Sequence, residues 1–325
     1  MTLLRIHDLY LLIVITLIRL AAGDYPLQLR SKIIRSVAFA ASRLSWGKRR
    51  LVNQALCKAL GGRLSRQRLR QIANRGFFSY WDDVFYLSLP NRERANLGQI
   101  ELSGIEYVKS ALQEKKGIII WESSYLGKRH LAKHVLRKEG FSICQVHGDS
   151  HVGGLSNPGK SPSWLNRQVI KPFFEGLEKT FVGEILYLAP LDSVAVSRQM
   201  LDRLRRNGIL CISGDVGAGH KCISLPFLGH TAPFATGMVS LATISGAPIV
   251  SMVCLEKTDG KTHLVIEPIH PPDVGIDREQ KQKSIISKYA GRLESYVLGY
   301  PDQYHGWHVL SYSSKNSEVM PATEK

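Results

Sequence analysis

From residue 117 onward, short apolar runs alternate with longer stretches in which apolar residues recur every three or four positions. The runs at 118–121, 142–146, 185–188, 210–213, 249–254 and 264–266 read as buried strands. The stretches at 129–138, 194–206 and 236–245 read as helices between them, and 278–298 as a late helix. Strands alternating with helices predict an α/β domain over residues 101–310, with a mixed central sheet flanked by helices.

The first hundred residues follow a different pattern. Residues 9–18 (LYLLIVITLI) are apolar and uncharged, but Arg5, His7, Asp8 and Arg19 flank them closely. A helix needs about 20 apolar residues to span a bilayer, so residues 1–30 read as a re-entrant or interfacial anchor. The acidic residue ahead of the run and the poor cleavage site argue against a secretory leader. Residues 31–44 place Ile33, Val37, Ala41 and Leu44 on one helical face and Lys32, Arg35 and Arg43 elsewhere, the pattern of an amphipathic helix. Residues 51–89 read as helical, broken at Gly61-Gly62, with Ser65 as N-cap of the second part. Residues 31–100 are thus a basic helical region, and 311–325 a polar tail expected to be disordered.

Charge sharpens this picture. The chain carries +16 at neutral pH, and residues 1–75 hold 15 Lys or Arg against only Asp8 and Asp24. Such an arm meets nucleic acid or an anionic membrane. The apolar segment beside it, in place of exposed stacking aromatics, favours anionic membrane lipid, and no nucleic-acid partner is expected. Cys57, Cys144, Cys211, Cys222 and Cys254 are scattered and odd in number. They suit free thiols, support no metal site and predict no disulfide framework.

The block from Gly208 to Val253 runs buried strand, loop with Asp215, the turn Phe227-Leu228-Gly229-His230, a helix of small residues, the turn Gly246-Ala247-Pro248, and a second buried strand. Residues 301–307 read PDQYHGW. This order resembles the lipid A biosynthesis (late) acyltransferases, whose corresponding turn is similar to Phe-Phe-Gly-Arg and whose closing element is similar to Pro-Glu-Gln-Trp-x-Trp. The resemblance extends from about residue 5 to 310. It implies a glycerolipid acyltransferase-like fold and transfer of a fatty acyl chain from a thioester donor, acyl carrier protein or acyl-CoA, to a lipid hydroxyl. It also implies a bacterial-type inner membrane location, cytoplasmic face, and no metal or organic cofactor.

Acyl transfer to a hydroxyl needs a base, a partner that orients it, and donors for the developing oxyanion. The family draws base and partner from a motif similar to His-Phe-Gly-Asn-Trp-Glu after a buried strand. Here Gly117 to Ala132 reads GIIIWESSYLGKRHLA. One register puts Tyr125 at the histidine position and His130 at the acid position; another puts Ser123 or Ser124 there. Three readings stay open. Glu122 is the base, its pKa raised by Trp121 beside it; His130 or His147, the latter followed by Asp149, takes the role; or the protein binds lipid or acyl carrier without turnover. Lys128 and Arg129 at a helix start are candidates for phosphate contacts. Asp215 shapes the cleft, and Gly229 with His230 forms its second wall. Residues 147–167, rich in Gly and Pro, read as a long loop able to act as a lid.

Overall fold

The computed structural model describes residues 6–22, 27–44, 46–87, 100–148, 163–188, 193–215, 221–270 and 277–311. Four helices come first: α1 (Ile6–Ala22), α2 (Leu27–Leu44), α3 (Trp46–Leu60) and α4 (Arg66–Tyr86). Then follow β1 (Glu101–Ser103), α5 (Ile105–Gln113), β2 (Ile118–Glu122), α6 (Arg129–Lys138) and β3 (Ile143–His147). A π turn (Asn166–Ile170) leads into α7 (Lys171–Glu178), β4 (Glu184–Tyr187), α8 (Ser193–Arg205) and β5 (Ile209–Ser213). The chain continues through β6 (Cys222–Phe227), β7 (His230–Ala235), α9 (Gly237–Ser245), β8 (Ile249–Glu256), β9 (Thr262–Pro268) and α10 (Arg278–Gly299).

Seven strands form one sheet in the order β1-β9-β8-β2-β5-β3-β4. All neighbours are parallel except β8 and β9. The sheet is therefore mixed and flanked by helices, as the alternation predicts. Its inner strand β2 is apolar on both faces, and Ile118 to Trp121 are each 0% exposed, the composition a strand covered on both sides requires. On one face Ile118, Ile120, Cys211, Ile143 and Val250 pack against Leu131, Val135 and Leu136 of α6 and Val108 and Ala111 of α5. On the other, Ile119, Trp121, Leu210 and Ile212 pack against Met200 and Leu204 of α8 and Ile286, Tyr289 and Leu293 of α10. Each inner strand enters the sheet from a helix or tight turn at the same edge, so β2, β3, β5 and β8 deliver their carboxyl ends to one rim. Ligand sites of α/β sheets sit at such a rim.

The six strands expected from the apolar runs are all present, with ends shifted by one or two residues. The short edge strand β1, helix α5 and the π turn with α7 were not expected. Neither was the antiparallel hairpin β6–β7, which pairs Phe227 with His230 across a turn that holds Leu228 and Gly229 at φ of 51° and 71°. Two positive φ values give the turn that matches strand twist. Ser65 caps α4 as expected, accepting from the Arg68 amide at 3.3 Å.

The amino-terminal helices cover one flank. Val14, Ile15 and Ile18 of α1 and Ile34 and Ala38 of α2 pack with Trp81, Val84 and Phe85 of α4 and Ile170, Phe174 and Phe181 beyond. Helix α1 is 17 residues long, and among the described residues no helix is long and apolar enough to cross a membrane. Of the tail expected over 311–325, Ser311 is instead helical and buried, its hydroxyl donating to the Leu51 carbonyl at 2.9 Å, and residues 312–325 lie outside the described residues.

Candidate functional site

Two polar clusters form at the rim, on opposite faces of the sheet. The first surrounds Glu122, the last residue of β2. Its register partner on β5 is Ser213, and Val146 of β3 pairs with Ile212. Side chains of a strand alternate between faces, so Glu122, Ser213, Gln145 and His147 share the face covered by α6. There the Glu122 carboxylate, 1% exposed, accepts from Gln145 Nε2 at 3.2 Å and Ser213 Oγ at 3.3 Å. The ammonium of Lys133, 0% exposed, lies 2.9 Å from the same oxygen.

This geometry changes the reading of Glu122. Burial pushes its carboxyl up, but Lys133 first and Arg129 next outweigh burial and hold it below the usual carboxylate range. Trp121 does not act on it from the same side. It belongs to the other face and stacks on Tyr289 at 3.8 Å between ring centroids. The expected elevation therefore fails for two reasons: the strand period turns Trp121 away, and a buried lysine, invisible to local spacing, neutralises the charge.

Helix α6 carries most of the first cluster. His130 to Leu136 are all buried. The His130 amide donates to Asp83 Oδ1 at 3.0 Å, and its ring Nε2 is 3.7 Å from Asp83 Oδ2. Burial, then the charges of Arg129 and Lys133, hold the His130 imidazole well below its usual range, so it is neutral and its approach to Asp83 is no salt bridge. Asp83 is raised to about 7, chiefly by burial, with Arg129, 3.6 Å away, opposing. Lys128 caps α6, with its ammonium 2.6 Å from Glu256 and 3.5 Å from Asp82. Both candidate phosphate contacts, Lys128 and Arg129, are thus engaged by carboxylates. Gly127, before the cap, has φ of 69°, and a Cβ there would overlap the Cys254 carbonyl oxygen. The strand-to-helix turn passes that close to β8.

His147 closes the cluster at the end of β3. Its Nε2 is 2.7 Å from Glu178 Oε2 at the end of α7, and its ring stacks near Tyr187 at 5.9 Å. The Glu178 carboxyl is lowered to about 2; burial opposes this, and His147, Lys133 and Arg129 produce it. The structure therefore brings Glu122, Arg129, His130 and His147 into one network with Lys133, Asp83, Glu178 and Gln145. Asp149 and residues 149–162 of the expected loop lie outside the described residues.

The second cluster sits on the α10 face. Asp215, 2% exposed, accepts from Ser123 Oγ at 2.8 Å, from the Ser124 amide, and from Tyr289 OH at 3.1 Å. Burial raises its carboxyl to about 7 against these donors. Ser123 Oγ in turn accepts from the Tyr125 amide at 3.1 Å. Asp215 thereby ties the segment after β2 to the end of β5. Tyr125 is held from the carboxyl-terminal side: its carbonyl accepts from the His305 amide at 2.8 Å, and Leu126 bridges to Tyr304. Gly229 and His230 lie at the hairpin turn, facing Lys58 and Ala55 of α3. No hydrogen bond, ion pair or ring contact joins them to Glu122. Burial first, then Lys58, lowers the His230 imidazole, so it supplies no fixed positive charge there.

Sequence reasoning missed Lys133, Asp83, Glu178, Tyr289 and Gln145. Lys133 carried no local signal, because its burial shows only once α6 is seen buried from His130 to Leu136.

An α/β domain on a mixed, mostly parallel sheet with polar clusters at its carboxyl rim defines the general class. The family model of the bacterial lipid A biosynthesis acyltransferases matches residues 189–310, which supports membership of that family. The match covers β5, Asp215, the hairpin, α9, β8, β9, α10 and the Pro301 to Trp307 element. Residues 118–147, with Glu122, His130 and His147, lie outside it. No curated protein matches the chain.

Proposed function

We propose that this protein is a membrane-associated O-acyltransferase that moves a fatty acyl chain from a thioester donor to a hydroxyl of a glycolipid or lysophospholipid. The family match supports the reaction class. The observation that carries the assignment of the base is the pair of His147 and Glu178 at the rim. Glu122 is sealed and neutralised by Lys133, and His130 is buried beneath Phe181, 6.1 Å between rings. His147 remains partly exposed, at 11% of its side chain. An ionised Glu178 fixes the tautomer with the proton on Nε2, so Nδ1 carries the lone pair that takes the acceptor's proton. The deprotonated oxygen attacks the thioester carbonyl, the carbon–sulfur bond breaks, and the proton leaves with the thiol.

Association with anionic lipid at a bacterial-type inner membrane, on its cytoplasmic face, is part of this proposal. Ile13 and Leu20 of α1, Leu29 and Phe39 of α2, and Trp164 and Val169 near the π turn are large apolar residues left exposed. Arg19, Arg35 and Arg43 stand among them, Arg43 over the Phe39 ring at 4.9 Å. Apolar side chains interleaved with arginines suit the lipid interface.

The runner-up is a relative that binds lipid or an acyl carrier without turnover. It is favoured by Tyr125 standing where the resemblance puts histidine and by the sealing of both Glu122 and Asp215. His147→Gln keeps a donor toward Glu178 while removing the base. Acyl transfer from a thioester to lipid, followed by mass spectrometry, should fall by about 10²–10⁴ in this variant with vesicle binding retained. Wild-type-like transfer by it would remove His147 from the reaction.

A further inference from the structure

A third cluster lies beside Tyr125. His305 and His308 follow the 3₁₀ turn Pro301–Gln303, and Lys48 comes from the first turn of α3. Lys48, Tyr80, Phe77, Tyr304, His305 and Trp307 line one small cavity of about 20 Å³. The Lys48 ammonium stands over the Tyr80 ring at 5.3 Å, Tyr80 meets His305 edge-on at 5.1 Å, and Tyr125 meets His305 at 6.0 Å and His308 at 6.3 Å.

The cluster sets one cation, Lys48, beside two neutral imidazoles. Among the described residues Lys48 makes no ion pair and no hydrogen bond, and its ammonium stands over the Tyr80 ring. His305 Nε2 is 3.3 Å from the Ser124 carbonyl oxygen, and its Nδ1 is buried without a partner. His308 Nδ1 is 3.1 Å from the His305 carbonyl. A half-buried cation without a counter-charge is disfavoured. Burial lowers Lys48 to about 8, and burial, with Lys48 next, lowers His305 and His308 to about 3. Arg129 also acts on His305, and Asp302, the nearest acid on this element, is taken by Arg75 at 3.1 Å.

The two helices that contribute Lys48 and Tyr80 are strongly positive. Residues 46–81 contain nine Lys or Arg and no Asp or Glu. Arg49 and Arg50, next to Lys48, line an open groove with Asn53, Gln54 and Cys57. Unlike α1 and α2, helices α3 and α4 expose no large apolar side chain among the described ones, so this face suits a soluble anionic group better than lipid tails.

From these contacts we propose that Lys48, His305 and His308 bind a phosphate ester. The Lys48 ammonium supplies the charge, and the buried Nδ1 of His305 becomes a donor when the anion carries a proton into the site. Two sources share this chemistry: the phosphopantetheine arm of a thioester donor and the headgroup of a phospholipid. The choice of sources rests on the acyl-transfer reading, but binding is measured without turnover, so a catalytically silent protein would still show it.

The test is calorimetric titration of the full chain with 4′-phosphopantetheine, with pantetheine lacking the phosphate, and with short-chain phosphatidate. Expected is phosphate-dependent binding by one of the two phosphate esters, which names the source. It should weaken at least tenfold in Lys48→Met, persist in Lys48→Arg, and tighten as pH falls through about 8. Removing a half-buried, unpaired charge leaves Lys48→Met folded, which its circular dichroism and Tm check. Binding of neither ester, equal binding of pantetheine, or equal affinity in a folded Lys48→Met would overturn the proposal.

Discussion

Replacing Lys133 by methionine tests whether Glu122 is held as an ion-paired anchor. The two side chains are 0% and 1% exposed and 2.9 Å apart. Removing the ammonium leaves the carboxylate with only Gln145 and Ser213 as donors, and breaking such a pair from one side costs about 3–5 kcal/mol. At about 2–4 °C per kcal/mol for domains of this size, Tm falls by about 10 °C. Removing both charges, Glu122→Met with Lys133→Met, should recover most of the loss, because apolar replacement of a whole buried pair is often neutral. Thermal and urea unfolding of wild type, both single variants and the double variant close the cycle. The pair also has a pH signature. The Glu122 carboxyl is lowered on folding, so its contribution is complete above the unfolded carboxylate range and is lost as pH falls through the folded value. A Lys133→Met cost under about 1 kcal/mol, or a double variant no more stable than Lys133→Met, would refute the reasoning.

Further expectations follow from other sites. Asp215 is raised to about 7, so the folded state holds a proton that the unfolded chain has lost between about pH 4 and 7. Stability from this group therefore declines as pH rises through that window, and Asp215→Asn should flatten the decline in urea midpoints; an unchanged slope would count against it. Gly127→Ala forces a Cβ into the Cys254 carbonyl at positive φ and should lower stability by more than about 1 kcal/mol; a wild-type urea midpoint would contradict the turn geometry. Phe39→Ser removes an exposed ring from α2 and should weaken binding to anionic vesicles about thirtyfold, as a side-chain burial of about 2 kcal/mol implies. Sedimentation with vesicles reads this, and unchanged binding would move the lipid face elsewhere.

The sheet was legible because its inner strands are apolar throughout. Ile118 to Trp121 and Ile209 to Ile212 are buried on both faces, and a continuous apolar run is what such strands display. Hairpin β6–β7 was not legible as strands: Pro226 and Pro233 interrupt it and its exposed positions hide the alternation, so only its turn was read. At the site, local spacing located Glu122, Arg129, His130 and His147 near one another but misjudged their state. The groups that set that state, Asp83, Lys133 and Glu178, come from three different helices. Lys133 also looks like a surface residue until α6 is seen buried along a whole turn. Lys48 and His305 lie more than 250 residues apart, and only the packing of α3 and α4 on the closing element brings them together.

The central claim is that this protein transfers an acyl chain. The most direct measurement is mass spectrometry of total lipid, lipid A fraction included, from matched cells with wild-type protein, with His147→Gln and without the chain. A lipid heavier by one acyl group in wild type alone is the predicted result. Lipids identical in all three, with the protein folded and bound to membrane, would contradict the claim and leave a lipid or carrier binder.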